Sequence, residues 1–454
     1  MIPYQAALLA WIIISALLMR DKNNARAFAI AYLGAIALMP SGADIELPAI
    51  PDLNKGNVAS IGVLIGTVLY HPRLFERFTL RPADFLLFLT MLAAFMASFV
   101  NDFGIYDGLS KSAETLLNFV LPILLARIHL GTPASIKTFL RFIVYTAIIY
   151  TPLAIYEWRM SPQLHNNLYG YFQHVFQQHM RWGYFRPIGF FHHALTLGRF
   201  FAFGTFLAAL PLRKDLTLTL GTLGNYIFLI PLVGLLTTMS IGPWLLFILL
   251  CGAYIILQNY KHHQILDATL YLLPAAAFLW LILKFMGINL EDSLLNLILS
   301  VSEDRGESFG YRLIALDEYR SIIQSKPWFG HGGWGHGRIE GRATDSQALV
   351  QLLNQGWVGT VIYFSWWAWA LHALLQIRHW TIGTHLAANA TAIALLATTC
   401  ISVTVIDAGL DLHLLLLLGG CTTINTWLRD KDPQIVLLKA QQSYNKHTRT
   451  GAST

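Results

Sequence analysis

Apolar runs long enough to cross a hydrocarbon core of about 30 Å recur from one end of this 454-residue chain to the other. They fall at 4–19, 27–39, 58–70, 84–100, 115–130, 140–157, 190–211, 217–236, 242–258, 268–287, 347–377, 385–405 and 410–428. A segment inside a bilayer must satisfy its own backbone hydrogen bonds, so runs of this length can only be helices. Composition agrees: 55% of residues are hydrophobic and 12% charged, against roughly 25% charged in a soluble domain, and mean hydropathy is +0.52. The expected fold is therefore all-α, a polytopic integral membrane protein of about 13 transmembrane helices. Two of the runs, 27–39 and 58–70, are short, with Gly or Pro at their edges.

Lys and Arg in short loops mark the cytoplasmic side. Arg20, Lys22 and Arg26, Arg73, Arg77 and Arg81, Lys137 and Arg141, Arg213 and Lys214, Lys261, Arg378, and the basic tail fall on alternate loops. The acidic segment 41–57 and the long loops 158–189 and 288–346 are then external, with the N-terminus outside and the C-terminus inside. A single transmembrane domain is expected over 1–428, followed by a cytoplasmic tail at 429–454. The first run lacks a basic n-region and a cleavage site, so it is expected to be a retained span. The net charge of +6 is largely this cytoplasmic bias and gives no reason to expect nucleic acid. Cys251, Cys400 and Cys421 all fall in predicted spans, so neither a disulfide framework nor a Cys-rich metal site is expected.

Against this apolar background, 305–359 is crowded with Arg, His, Trp and Gly. Apolar side chains at Leu313, Ile314, Leu316, Tyr319, Ile322 and Ile323 predict an amphipathic helix over 311–325, closed by Pro327. Glycines at 330, 332, 333, 335 and 337 follow, letting backbone approach a ligand closely. The external loops also supply Arg181, Arg186, Arg305, Arg312, Arg320, Arg338 and Arg342. Arginine grips phosphate oxygens bidentately and keeps its charge, which suits a pyrophosphate leaving group. The same arginines could instead pair with Glu303, Asp304, Glu307, Asp317, Glu318 and Glu340; Arg320 with Asp317 looks the most structural, and Arg312 the best phosphate ligand. Arg199 lies inside a span, where a cation must be paired or line a wet cavity. Glu157, Lys284, Asp407, Asp411 and His413 are further inward candidates, or reach the interface by snorkelling.

Glycosyl transfer from a lipid pyrophosphate needs a base for the acceptor hydroxyl and stabilisation of the departing pyrophosphate. His331, His336 and Asp345 are the candidate catalytic bases, with His192 and His193 as alternatives from the smaller loop. Trp328 and Trp334 could stack on sugars, while Trp366, Trp367 and Trp369 read as interface anchors. The histidine spacing matches no recognised zinc pattern, so no metal and no cofactor are expected.

Three strings carry a resemblance: RPIGFFHH (186–193), GYRLIALDEYRSIIQSKPWFGHG (310–332) and SQALVQLLNQGWVG (346–359). In this order the chain resembles the O-antigen polymerase and O-antigen ligase superfamily. The resemblance implies a GT-C-like glycosyltransferase of the bacterial inner membrane, metal-independent and inverting, working on the periplasmic face with an undecaprenyl pyrophosphate-linked glycan. Arg186 and Arg312 match the family's arginines before the span and at the opening of the loop helix; with Arg199 and Arg305 they would bind pyrophosphate. Ligase-type members often have a histidine where this chain has Asp345, which favours polymerisation of O-antigen or exopolysaccharide repeat units over ligation to lipid A core or another acceptor. A flippase and chain-length or export proteins are candidate partners beside membrane lipid. A lipid-oligosaccharide transporter would more typically have duplicated halves and midplane charge; here charge concentrates in the loops.

Overall fold

The computed structural model describes residues 1–431 apart from 48–49, 77, 260–262, 291–294, 297–298, 301–302, 334, 341, 343, 345, 381–384, 406 and 408–410. Most of the expected tail, 432–454, lies outside the described residues. Helices α1 (Tyr4–Leu18) and α2 (Asn24–Leu38) open the chain, Asn23 capping α2 by accepting from the Arg26 backbone N–H. An antiparallel hairpin of β1 (Ile45–Leu47) and β2 (Ile50–Leu53) leads into α3 (Val58–Tyr70). α3 approaches α1 so closely that a Cβ on Gly62 or Gly66 would stand 2.5 Å from the carbonyl oxygen of Ile12 or Ala16. Small residues four apart permit that contact between membrane helices.

The short α4 (Arg73–Glu76) precedes α5 (Asp84–Val100), which packs on α6 (Gly104–Thr115). A π turn at Leu116–Val120 joins α6 to α7 (Leu121–His129), the three forming one candidate span, Gly104–His129. α8 (Pro133–Met160) starts at a capping box between Thr132 and Ser135, with Pro133 in the first turn, where its missing N–H costs nothing. The smaller loop holds α9 (Leu164–Tyr169) and the two-residue strands β3 (Met180–Arg181) and β4 (Tyr184–Phe185). Beyond α10 (Ala194–Ala209) the chain bends by 71° into α11 (Arg213–Leu220). The run expected as one span at 217–236 is instead broken: α11 ends at Gly221 (φ 64°, ψ −148°) and α12 (Leu229–Thr237) starts anew.

α13 (Ile241–Asn259) and α14 (His263–Phe285) lead to the larger loop, whose helices are α15 (Glu303–Glu318) and α16 (Arg320–Ser325). The bundle closes with α17 (Gln347–Trp380), α18 (His385–Val403) and α19 (Leu412–Lys431). Among the described residues, six helices are long and apolar enough to cross a membrane, or seven with the bent pair counted as one, beside five shorter apolar helices of 10–17 residues. The chain is an all-α, multi-pass membrane protein.

Two further expectations are corrected. The loop helix begins at Glu303 and breaks at Tyr319, so Arg312 sits in its interior rather than at its start. Its apolar face does pack, with Leu313, Leu316, Tyr319 and Ile323 buried, although Ile314 is exposed. Trp366 and Trp367 are fully buried, Trp366 meeting Phe119 edge-on, and so are not interface anchors. α17 has neighbours on several sides, namely α5, α18 and α19, which turns those rings into the core.

Because the helices alternate in direction, the long loops gather at one end of the bundle. There Asn101 Nδ2 donates to the Gly330 carbonyl (2.9 Å) and the Gln347 N–H donates to the Asp407 carbonyl (3.1 Å). At the opposite end Arg20 meets Tyr70, Arg141 pairs with Asp215 and Arg378 with Asp267.

Candidate functional site

Two of the three strings meet each other. α17 is interrupted at Gly356 (φ 61°, ψ −165°), a conformation reserved for glycine. The break releases backbone groups that the Pro327–Gly332 turn satisfies. Trp357 N–H donates to the Pro327 carbonyl (2.8 Å), Val358 N–H to that of Trp328 (3.1 Å), and His331 N–H to that of Leu353 (2.7 Å). A Cβ on Gly356 would lie 2.5 Å from the Trp328 carbonyl carbon, so the chains touch through bare backbone. The larger loop is thereby fastened to the long helix.

The third string, RPIGFFHH, is held from α8. Glu157, fully buried, accepts from the N–H groups of Ile188 (2.9 Å), Gly189 (2.6 Å) and Leu164 (3.0 Å), and the Phe190 N–H donates to Tyr150 Oη (2.7 Å). Glu157 thus shapes the turn and does not reach the interface. Arg186 is also buried: its guanidinium donates to Ser240 Oγ (2.8 Å) and to the Gln178 carbonyl (3.2 Å), tying the smaller loop to the α12–α13 junction.

Two cavities open at this same end and both touch Gly56 and Leu412. The first, about 410 Å³, lies between the 40–56 segment and the starts of α10 and α19, and Lys55, Asp44, His192, Arg199, Asp411 and His413 line it. Lys55 is presented by an asparagine-built turn: Asn54 Oδ1 accepts from the N–H groups of Gly56 (2.8 Å) and Asn57 (3.1 Å), a geometry Asn favours. Its ammonium donates to neutral oxygens, Ser41 Oγ (3.1 Å) and the Phe190 carbonyl (2.5 Å), and stands 5.5 Å from the Phe191 ring centre. Burial pushes it down to about 7. Burial, then the carboxylates of Asp52, Glu114 and Glu46, raises Asp44. Arg199 pairs with Asp407 (2.8 Å) and Asp411 (3.3 Å), so the intramembrane arginine is both paired and at a cavity wall.

The second cavity, about 420 Å³, is walled by the start of α17 and by the α6–α7 span. Gln347, Gln351, Asn354 and Gln355 come from α17, and Asn118 from the π turn, an irregularity frequent at functional sites. Lys111 and Glu114, paired at 2.6 Å, face it, with Phe119, Tyr363 and Trp367 beneath.

The remaining expected site residues are scattered. His331 Nε2 contacts the Ile322 carbonyl (2.8 Å), while His336 is exposed and stacks on Phe103 with ring centres 4.2 Å apart. Trp328 is exposed. Arg312 lies on α15, outside both linings; Arg305 is on the same helix, but its side chain, like Asp345 and Trp334 altogether, lies outside the described residues. Arg320 pairs with Asp317 (2.6 Å) as expected, and Lys284 reaches the same carboxylate (2.7 Å). Sequence reasoning missed Lys55, hidden in a segment noted for acidity, and the amides. The signal for the latter was present: Gln347, Gln351 and Gln355 recur every four residues in an otherwise apolar helix, which puts them on one face.

His174, His179, His192 and His193 cluster beside the first cavity, with His174 and His193 ring centres 4.7 Å apart. Burial first, and His174 second, lowers His179 to about 4 and His193 to about 2. Among the described residues no group of three or more His, Cys, Asp or Glu has the arrangement of a metal site. No curated protein matches the chain. Residues 226–364, which take in both loop helices, the Pro327–Gly332 turn and the α17 break, match the family model described as O-antigen ligase, and on that match the resemblance to the O-antigen polymerase and ligase superfamily stands.

Proposed function

We propose that the chain is a polysaccharide polymerase that joins repeat units carried on undecaprenyl pyrophosphate, at the periplasmic face of a bacterial inner membrane. The observation that carries the reading is the pair of cavities at one end of the bundle, one holding Lys55 and Arg199 beside Asp44 and Asp411 and one lined by amides, adjoining at Gly56 and Leu412. A donor pyrophosphate belongs in the first, against Lys55 and Arg199, with Arg305 and Arg312 contributing from the loop. Fixed cations there stabilise the charge that develops as the anomeric C–O bond breaks and its electron pair leaves with the pyrophosphate. The acceptor belongs in the second. Asp345, two residues before Gln347 in the wall, takes the acceptor hydroxyl proton as the oxygen attacks the anomeric carbon from the opposite face, inverting it. His331 is a weaker base candidate because its ring is engaged with Ile322. The step needs no metal, and the GT-C-like architecture of about thirteen spans is part of the same proposal.

Ligation is the second reading, favoured by the description of the matching family model. A strain lacking the protein separates the two. Polymerase function predicts single repeat units accumulating on undecaprenyl pyrophosphate with loss of long polymer; long polymer retained on the lipid and missing from its final acceptor would mean a ligase. Independently, Arg312→Ala in an inserted, folded protein is expected to abolish product, and near-normal polymer would remove the loop from the pyrophosphate site.

A further inference from the structure

The second cavity is walled largely by carboxamides. Gln347, Gln351 and Gln355 stand on one face of α17, and Asn118 faces the same space from the π turn. The Oε1 atoms of Gln351 and Gln355 are buried and meet no donor among the described residues. A buried acceptor without a donor is costly, so these two side chains gain if they rotate to present an amide to a ligand in the cavity. The wall carries little net charge, because its cation, Lys111, is held by Glu114 at 2.6 Å. Lys111 is also confined sterically: its chain lies across Gly333, where a Cβ would come within 2.1 Å of its Cε. An anionic ligand would need a cation available to it, whereas carboxamides offer donors and acceptors in equal measure without charge. Phe119, Tyr363 and Trp367 supply apolar surface below.

We infer that this cavity is an acceptor subsite for an uncharged sugar bearing hydroxyl and acetamido groups, and that it discriminates against uronic acids. The inference rests on the reading of the chain as a glycosyltransferase and adds the chemical class of the acceptor. The test uses full-length protein in nanodiscs and saturation-transfer NMR with two sets of free disaccharides: neutral ones (cellobiose, lactose and N,N′-diacetylchitobiose) and their glucuronic-acid-containing counterparts. At least one neutral probe is expected to bind, the acidic set at least tenfold more weakly, and Gln351→Met to weaken the neutral probe about tenfold. Gln351→Glu should weaken it as well without creating affinity for acidic probes. Thermal unfolding of each variant shows whether it is folded; where Gln351→Met is not, Gln347→Met takes its place. Acidic probes binding as well as neutral ones, no neutral probe binding, or binding indifferent to the amide substitutions would each overturn the inference. The lipid-linked glycan profile of the deletion strain tests the glycosyltransferase reading by itself: an unchanged profile with Gln351-dependent sugar binding would sink that reading while leaving a sugar site in place.

Discussion

The two cavities are nearly equal in volume and share two lining residues, yet they handle polarity in opposite ways. In the first, charge is concentrated and partly desolvated: Arg199 is locked between Asp407 and Asp411, and Lys55 is supported by a hydroxyl and a carbonyl. In the second, polarity is spread over uncharged amides and the charges cancel locally. A desolvated cation binds an anion strongly but is expensive to keep; an amide wall costs less and recognises shape and hydroxyl pattern. That division suits a site whose donor carries a pyrophosphate and whose acceptor is sugar.

Several substitutions would break or sharpen this contrast. The largest effect is expected from Arg199→Met, which strands the buried Asp411 carboxylate and the half-buried Asp407 and should cost about 3 kcal/mol, more than Gln351→Met, as read by denaturant unfolding in detergent. Equal losses would erase the distinction between the cavities. Gly356→Ala comes next: the strained backbone alone should cost about 1–3 kcal/mol, and the contact with Trp328 adds to it. The expected signature is loss of stability together with protease sensitivity in the 326–346 loop; an unaltered loop would mean that it is fastened elsewhere.

Lys55 gives a change of opposite sign. Its folded value, about 7, lies below the ordinary lysine value of 10.5, so the unfolded chain binds the proton more tightly and stability falls as pH drops from 10.5 through 7. Lys55→Met should therefore stabilise the ligand-free protein near neutral pH while weakening inorganic pyrophosphate binding, measured by calorimetry in nanodiscs. In the wild type that binding should decline as pH rises above 7, and in Lys55→Met this dependence should vanish; a flat wild-type profile would detach Lys55 from the anion. The smallest effect concerns the histidine cluster. His179 and His193 titrate below the usual 6.5 because they are buried, so their contribution to stability is present above pH 6.5 and lost as pH falls toward 4. A His179→Gln variant should show a shallower acid decline, and an unchanged slope would exclude that contribution.

The sequence was most legible where one rule dominates. Apolar length located the helices, and the cost of an intramembrane cation pointed Arg199 to a cavity wall with Asp411 and His413 beside it. It was less legible where tertiary packing decides. The run at 217–236 looked continuous until Gly221 broke it, and Trp366 and Trp367 looked like anchors because nothing local announces that α17 has neighbours on several sides. Lys55 escaped because its importance comes from chain segments nearly 140 residues away, through the Phe190 carbonyl. The glutamine stripe could have been read from its spacing but was overshadowed by the louder arginines of the loop.

The π turn at Leu116–Val120 leaves a mark that comparative genetics could use. A π turn winds more residues into a turn than the α-helix on either side of it, and each residue turns an α-helix by about 100°. Deleting one residue between 116 and 120 would let the span relax to regular α-helix and would swing Asn118 away from the glutamines opposite. It would do so at little expense to a segment that can still cross a bilayer. A one-codon length difference at this point would therefore reshape the amide cavity as strongly as a substitution in its wall.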